Sequence, residues 1–267
     1  MRVQCLFWRI GAFASLCALH LVLSGCITER SGNLIPEPSM KEAAELNLQL
    51  GIGYLRQDDP LTAQMKLEKS IRQNPDLVMA YTVLGLVYER LGDADSAKSV
   101  YRKAVALGPR DPAALNSLAV FLCRTDKGRP EAMELFNRAL AVPLSKQFSN
   151  KAMLNTNAGM CVKPEDLPRA ENYLRAALAS DRGYTDALVQ LADVAYQRGN
   201  FMQSRAFLQR YMSADEVSPS VLWLSMEVET AMGNYQEAYE LGRRLKQKFP
   251  QSVEARRLLE RERDAGI

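Results

Sequence analysis

Histidine is almost absent from this 267-residue chain: its one histidine, His20, lies inside an apolar N-terminal run. Once that run is removed, nothing supports Ser–His or Cys–His nucleophilic catalysis or a histidine metal site. A glycine-rich phosphate loop is missing as well, because Gly51 and Gly53 fall in the middle of a helix-period segment. Acidic side chains such as Glu227, Glu229, Glu260 and Glu262 are spread along helical faces, where they read as solvated surface rather than as a paired-acid site. Neither sign of charge dominates, since 34 Lys and Arg stand against 31 Asp and Glu, and Arg2 and Arg9 account for part of the net +3. That balance excludes a nucleic-acid footprint. Period-two alternation is also lacking, so no strand is expected. The chain reads as a non-enzyme that needs no cofactor and no metal and binds no nucleic acid.

What is present begins with an export signal. Arg2 and Arg9 precede an apolar stretch over residues 10–23, which is long enough for a signal core and too short to span a bilayer comfortably. It ends in Leu23-Ser24-Gly25-Cys26, which resembles the lipobox of bacterial lipoproteins. That resemblance implies a signal peptide over 1–25, cleavage before Cys26 and acylation of that cysteine. An ordinary signal peptide cut nearby is the alternative. Two or more acyl chains would give stable anchoring, because each buried CH₂ adds about 0.8 kcal/mol. Ile27 stands where inner-membrane lipoproteins commonly carry aspartate, so the resemblance favours the periplasmic face of the outer membrane. Residues 26–40, broken by Gly32, Pro36 and Pro38, suit an extended tether.

With Cys5 and Cys17 in the leader and Cys26 lipidated, Cys123 and Cys161 remain. An even pair in an oxidising compartment invites a disulfide. A loop of that length would be stabilised by about 4 kcal/mol on a chain-entropy estimate. Two buried apolar thiols are the alternative. Without a C-x-x-C spacing, neither cysteine reads as catalytic.

From residue 41 to 267 the pattern is helical, with short Gly, Asp, Asn or Pro breaks. Leu50-Gly51 and Tyr54 recur 34 residues later as Leu84-Gly85 and Tyr88, while Ala63, Leu67 and Pro75 recur as Ala97, Tyr101 and Pro109. These residues match the tetratricopeptide (TPR) pattern, a helical hairpin in which small residues let two antiparallel helices approach and proline stops the second. The expected fold is all-α: a right-handed α-solenoid of six TPR hairpins over 44–77, 78–111, 112–146, 150–183, 184–217 and 219–251, with a capping helix at 252–264. The later units are less regular, and Ser225 and Gly242 depart from the consensus.

A superhelix of hairpins offers its concave face, built from first-helix side chains that do not pack into the core. By repeat register those positions hold Leu48, Ile52, Leu55, Met79 and Leu86, followed by Asn116, Val120, Asn155 and Val162, then Asp193, Tyr196 and Trp223. The apolar members read as a docking groove. Asn116 and Asn155 read as paired amides able to bond a peptide backbone, or else each other's helices. Met65, Met133 and Met202 read as core or partner-facing rather than as ligands.

The leader with Cys26, the sharp repeats over 47–75 and 81–109, and Asn116-Ser117-Leu118-Ala119 followed by Cys123 together resemble the PilF/PilW family of type IV pilus biogenesis lipoproteins. Members of that family are pilotins of the pilus secretin. The resemblance implies a monomer that binds the secretin subunit, escorts it to the outer membrane and promotes its multimerisation, and hence pilus biogenesis and twitching motility. A TPR lipoprotein that scaffolds cell-wall hydrolases or outer-membrane protein assembly is the alternative. A redox protein using Cys123 and Cys161 is the alternative from another class.

Overall fold

The computed structural model describes residues 39–143, 150–214, 217–264 and 266. The leader, Cys26 and nearly all of the tether lie outside the described residues. Among those residues the regular structure is thirteen α-helices and one short 3₁₀ turn, with no strand. Six hairpins follow in order: α1 (Met40–Arg56) with α2 (Pro60–Gln73), α3 (Val78–Arg90) with α4 (Ala94–Leu107), and α5 (Pro112–Leu122) with α6 (Arg129–Ala141). Next come α7 (Lys151–Val162) with α8 (Leu167–Ser180), α9 (Thr185–Gln197) with α10 (Phe201–Ala214), and α11 (Pro219–Ala231) with α12 (Tyr235–Lys248). A last helix, α13 (Val253–Asp264), closes the C-terminal end.

Local chemistry sets where these helices start and stop. Asp59 and Asp93 each accept a backbone N–H from the residue three positions on, Thr62 and Ser96, at 3.0 Å. Asp111, Asn150, Asp166 and Ser218 cap α5, α7, α8 and α11 in the same way, each satisfying amides that a helix start leaves unpaired. Pro60, Pro112 and Pro219 occupy the first helical position, where a missing N–H does no harm. Three-residue turns join the helices of four hairpins, and their middle residue sits at positive φ: Asp58 (+59°), Gly92 (+78°), Gly199 (+75°) and Gly233 (+77°). Glycine takes that conformation without a Cβ penalty, and aspartate is one of the few other residues that tolerates it.

Packing follows a small-against-large rule within each hairpin. A Cβ on Gly51 would lie 2.6 Å from Leu67 Cγ, and one on Gly159 would lie 2.9 Å from Leu174 Cγ. Ala119 with Phe136 and Ala192 with Leu208 take the same register, and all four are fully buried or nearly so. Ser70 Oγ donates to Ala44 O and Ser204 Oγ to Ala192 O, both at 2.7 Å, so the buried hydroxyls tie second helices to first.

The order of contacts gives the solenoid its curvature. Each second helix packs on its own first helix and on the first helix of the next hairpin. First helices also touch one another in series, α1 on α3, α3 on α5 and so on to α11 on α13, whereas no comparable contact joins successive second helices among the described residues. The row whose members touch is the inner one, so the first helices line the concave face and the second helices splay outside.

Candidate partner-binding groove

One position of each first helix looks into the concave face: the residue just after the one that packs against the second helix, small in the first five hairpins and Met226 in the sixth. In order these are Ile52, Leu86, Val120, Met160, Asp193 and Glu227. The second, third and fourth are large apolar side chains left 44%, 36% and 46% exposed, while Ile52 is half-buried. Met79, two helical turns before Leu86 on the same stripe, is exposed as well. A run of aliphatic and thioether groups on neighbouring helices is the surface that soluble proteins ordinarily keep polar.

Between α5 and α7 the strip opens into a pocket lined by Val120, Cys123, Arg124, Asn157, Met160 and Cys161. Cys123 and Cys161 are bonded across it, with Cα atoms 5.6 Å apart, so a covalent link holds two rungs of the inner row together. Beside the bridge, Asn157 Nδ2 donates to Asn116 Oδ1 at 2.9 Å. Arg124 pairs with the carboxylate of Glu89, whose other oxygen accepts from the Tyr101 hydroxyl at 2.5 Å. Burial first, and that bond to Glu89 second, push the Tyr101 phenol well above its ordinary value, so it stays protonated and donating.

Several groove expectations are corrected here. Leu48 is 2% exposed and packs with Leu67 and Leu84 in the core of the first two hairpins, and Leu55 is buried beside it. Neither reaches the concave face, because the neighbouring helices of the first two hairpins cover both side chains. Asn155 is buried and its Nδ2 donates to Lys151 O of its own helix, so the amide pair across the groove is Asn116 with Asn157. Val162 is buried in the main core. Ile52, Met79, Leu86 and Val120 do lie on the inner stripe, and Met160 joins them. The signal for Met160 was its place after Gly159, hidden by an offset of 40 rather than 34 from Val120.

Toward the C-terminus the groove changes character. Lys163 Nζ bonds both Asp193 Oδ2 and Gln190 Oε1 at 2.8 Å. Tyr196 stacks at a tilt on Phe201, with centroids 5.7 Å apart. Trp223 lies against the guanidinium groups of Arg257 and Arg261, 4.7 and 4.6 Å from its ring centroid. Arg261 also pairs with Glu227 at 2.6 Å. These side chains are engaged with one another and with the capping helix. Among the described residues, no cluster of three or more His, Cys, Asp and Glu could hold a metal ion, and no helix is long and apolar enough to cross a membrane.

Family models described as tetratricopeptide repeat match residues 78–121 and 162–222. Those two segments carry tetratricopeptide repeats, and the described fold is a TPR-like helical solenoid. The chain is similar to the type IV pilus assembly protein PilF of Pseudomonas aeruginosa, with 24% identity over 238 residues that cover 88% of this chain and 93% of PilF. In fold it is similar to a crystal structure of PilW, a type IV pilus biogenesis factor, with a TM-score of 0.74 and 28% identity over 81% of this chain and 98% of PilW. A structure of P. aeruginosa PilF superposes with a TM-score of 0.71 at 22% identity, covering 84% of this chain and all of that one (100%). The solenoid and the similarity to both proteins thus extend over nearly the whole described chain.

Proposed function

We propose that this chain is a type IV pilus biogenesis protein of the pilotin kind: a periplasmic lipoprotein held to the outer membrane through Cys26, which binds the secretin subunit and promotes its localisation and multimerisation. The observation that carries this reading is the exposed inner strip of Leu86, Val120 and Met160, in a solenoid that shares most of its length with PilF and PilW. The strip is a binding surface without catalytic groups, which supports a scaffold rather than an enzyme.

Labour is divided between the two ends of the molecule. Acyl chains on Cys26 would supply the address, and the groove would supply the grip. Tethering raises the effective concentration of captured subunits at the membrane, so that subunits meet faster there than in free solution. Deleting the gene and scoring detergent-resistant secretin multimers together with surface pili tests the proposal. Loss of both, restored by the wild-type chain and left unrestored by Leu86→Asp, is the expected result. Normal secretin rings in the deletion strain would overturn it.

A further inference from the structure

A second ladder accompanies the apolar one along the sequence. Four residues beyond Ile52, Leu86 and Val120 stand Arg56, Arg90 and Arg124, each 34 residues from the next. A step of four places Arg56 and Arg90 on the same helical face as Ile52 and Leu86, one turn along. Val120 and Arg124 line one pocket together. Arg56 and Arg90 are the last residues of their first helices, where the carbonyl end favours a cation, and Arg124 stands two residues past the end of α5. Arg124 is fixed by Glu89 and by the face of Phe121, 5.9 Å from its ring centroid. Among the described residues Arg90 forms an ion pair only with the exposed Asp58, at 2.7 Å. Arg56 is exposed and has no ion-pair partner among the described residues.

The double ladder ends where the apolar strip ends. In the fourth hairpin the position four beyond Met160 is Pro164. In the fifth and sixth hairpins the rung itself becomes Asp193 and Glu227, followed by Gln197 and Ala231. Apolar rungs with flanking cations thus occupy hairpins one to three, Met160 adds one more apolar rung, and the remainder is acidic.

We propose that the groove selects a partner segment that is an amphipathic α-helix with acidic flanks, its apolar residues seated on Leu86, Val120 and Met160 and its carboxylates on Arg56, Arg90 and Arg124. This deepens the groove reading of the pilotin role and rests on it. The helical form follows from spacing. Packed helices lie roughly 10 Å apart, and seven residues of α-helix rise about 10.5 Å, so one heptad spans one rung. Same-face residues of a strand fall at about 6.7 or 13 Å and miss the rungs. Arginine suits the task because its planar fork can hold a carboxylate with two parallel bonds.

Two synthetic helical peptides of about 21 residues, with leucine at every seventh position and either glutamate or lysine flanking each leucine, test the charge preference. Each is titrated into the mature chain carrying Cys26→Ser, with fluorescence anisotropy read at low and high salt. The glutamate peptide is expected to bind at least about tenfold tighter at low salt and to weaken as salt rises. Arg56→Glu with Arg90→Glu should erase that preference while leaving Trp223 emission and helicity unchanged. Leu86→Asp should remove binding of both peptides. A lysine peptide that binds as well or better, a preference that survives the double arginine variant, or no binding of either peptide would each overturn the inference. So would uptake of anionic phospholipid vesicles, with the same arginine dependence, in place of the acidic peptide. Secretin rings that survive Leu86→Asp in cells, alongside an intact peptide preference, would remove the pilotin role and keep the acidic-segment preference.

Discussion

Met226 and Gly242 meet in the sixth hairpin with their sizes reversed: the large residue is on the first helix and the glycine on the second, where a Cβ would lie 3.3 Å from Met226 Sδ. By register these are the positions that Gly85 and Tyr101 hold in the second hairpin. The interface therefore conserves total volume rather than a particular residue at either place. Departure from consensus at Gly242 is half of a compensating exchange.

Gly85→Ala and Gly242→Ala should accordingly differ. A Cβ on Gly85 would fall 2.4 Å from Tyr101 Cε1, and Tyr101 is held by Glu89, so overpacking should cost about 1–3 kcal/mol. On Gly242 the new methyl would meet the flexible ends of Met226 and Leu258, and the gain in helix propensity, up to about 1 kcal/mol, should offset the crowding. Thermal unfolding is expected to show a clear drop for the first variant and little change for the second.

Leu48→Asp and Leu86→Asp should separate folding from binding. Leu48 is 2% exposed, so the carboxylate would be stranded in the core at a cost of several kcal/mol. Leu86 opens on the groove, so its replacement should leave the melting curve nearly unchanged and weaken secretin capture. Circular dichroism melts paired with pull-down of secretin distinguish the two. Capture undisturbed by Leu86→Asp would remove the strip from the binding site.

The Cys123–Cys161 bond crosses the inner row between α5 and α7. Its removal by Cys123→Ser with Cys161→Ser should destabilise the chain by up to about 4 kcal/mol on the chain-entropy estimate. Because the bridge lines the groove beside Val120 and Met160, the same variant should also weaken partner binding. Denaturant titration and peptide anisotropy, each with and without reductant, provide the comparison, with no reductant effect expected in the double variant.

Positive φ at Asp58 and Gly92 predicts opposite responses to substitution. Gly92→Ala should destabilise by about 1 kcal/mol. Asp58→Gly should stabilise by up to about the same amount, because the Arg90 bridge it removes is exposed and such bridges contribute about 0–1 kcal/mol. Denaturant midpoints check both.

Asp59 and Asp93 have pKa values below the ordinary carboxylate value because the side chain and backbone N–H of Thr62 and of Ser96, respectively, bond the ionised form. A depressed folded-state pKa contributes stability that is present above the unfolded value, about 3.9, and is lost as pH falls through the folded value. Asp93→Ala should therefore be less stable near neutrality and should show a flatter loss of stability below about pH 4. An acid-unfolding series as steep as that of the wild type would contradict the cap's contribution.

The amino-acid sequence alone determined the hairpins. Gly85 with Tyr101, the Asp59 and Asp93 caps and the recurrence at 34 residues are local or near-local features, and 3.6-residue periodicity combined with capping chemistry is enough to place such helices. Only the tertiary structure decided which apolar stripe faces outward. Leu48 and Leu86 look alike in sequence, and each lies on an apolar face of a first helix. What separates them is whether another helix covers that face. Extra residues in the α5–α6 turn and between α6 and α7 shift the register from 34 to 40, so the alignment of Met160 with Val120 emerges only when helices distant in sequence are packed side by side. A side chain's exposure is a property of its neighbours in space, and periodicity within one helix carries no information about them.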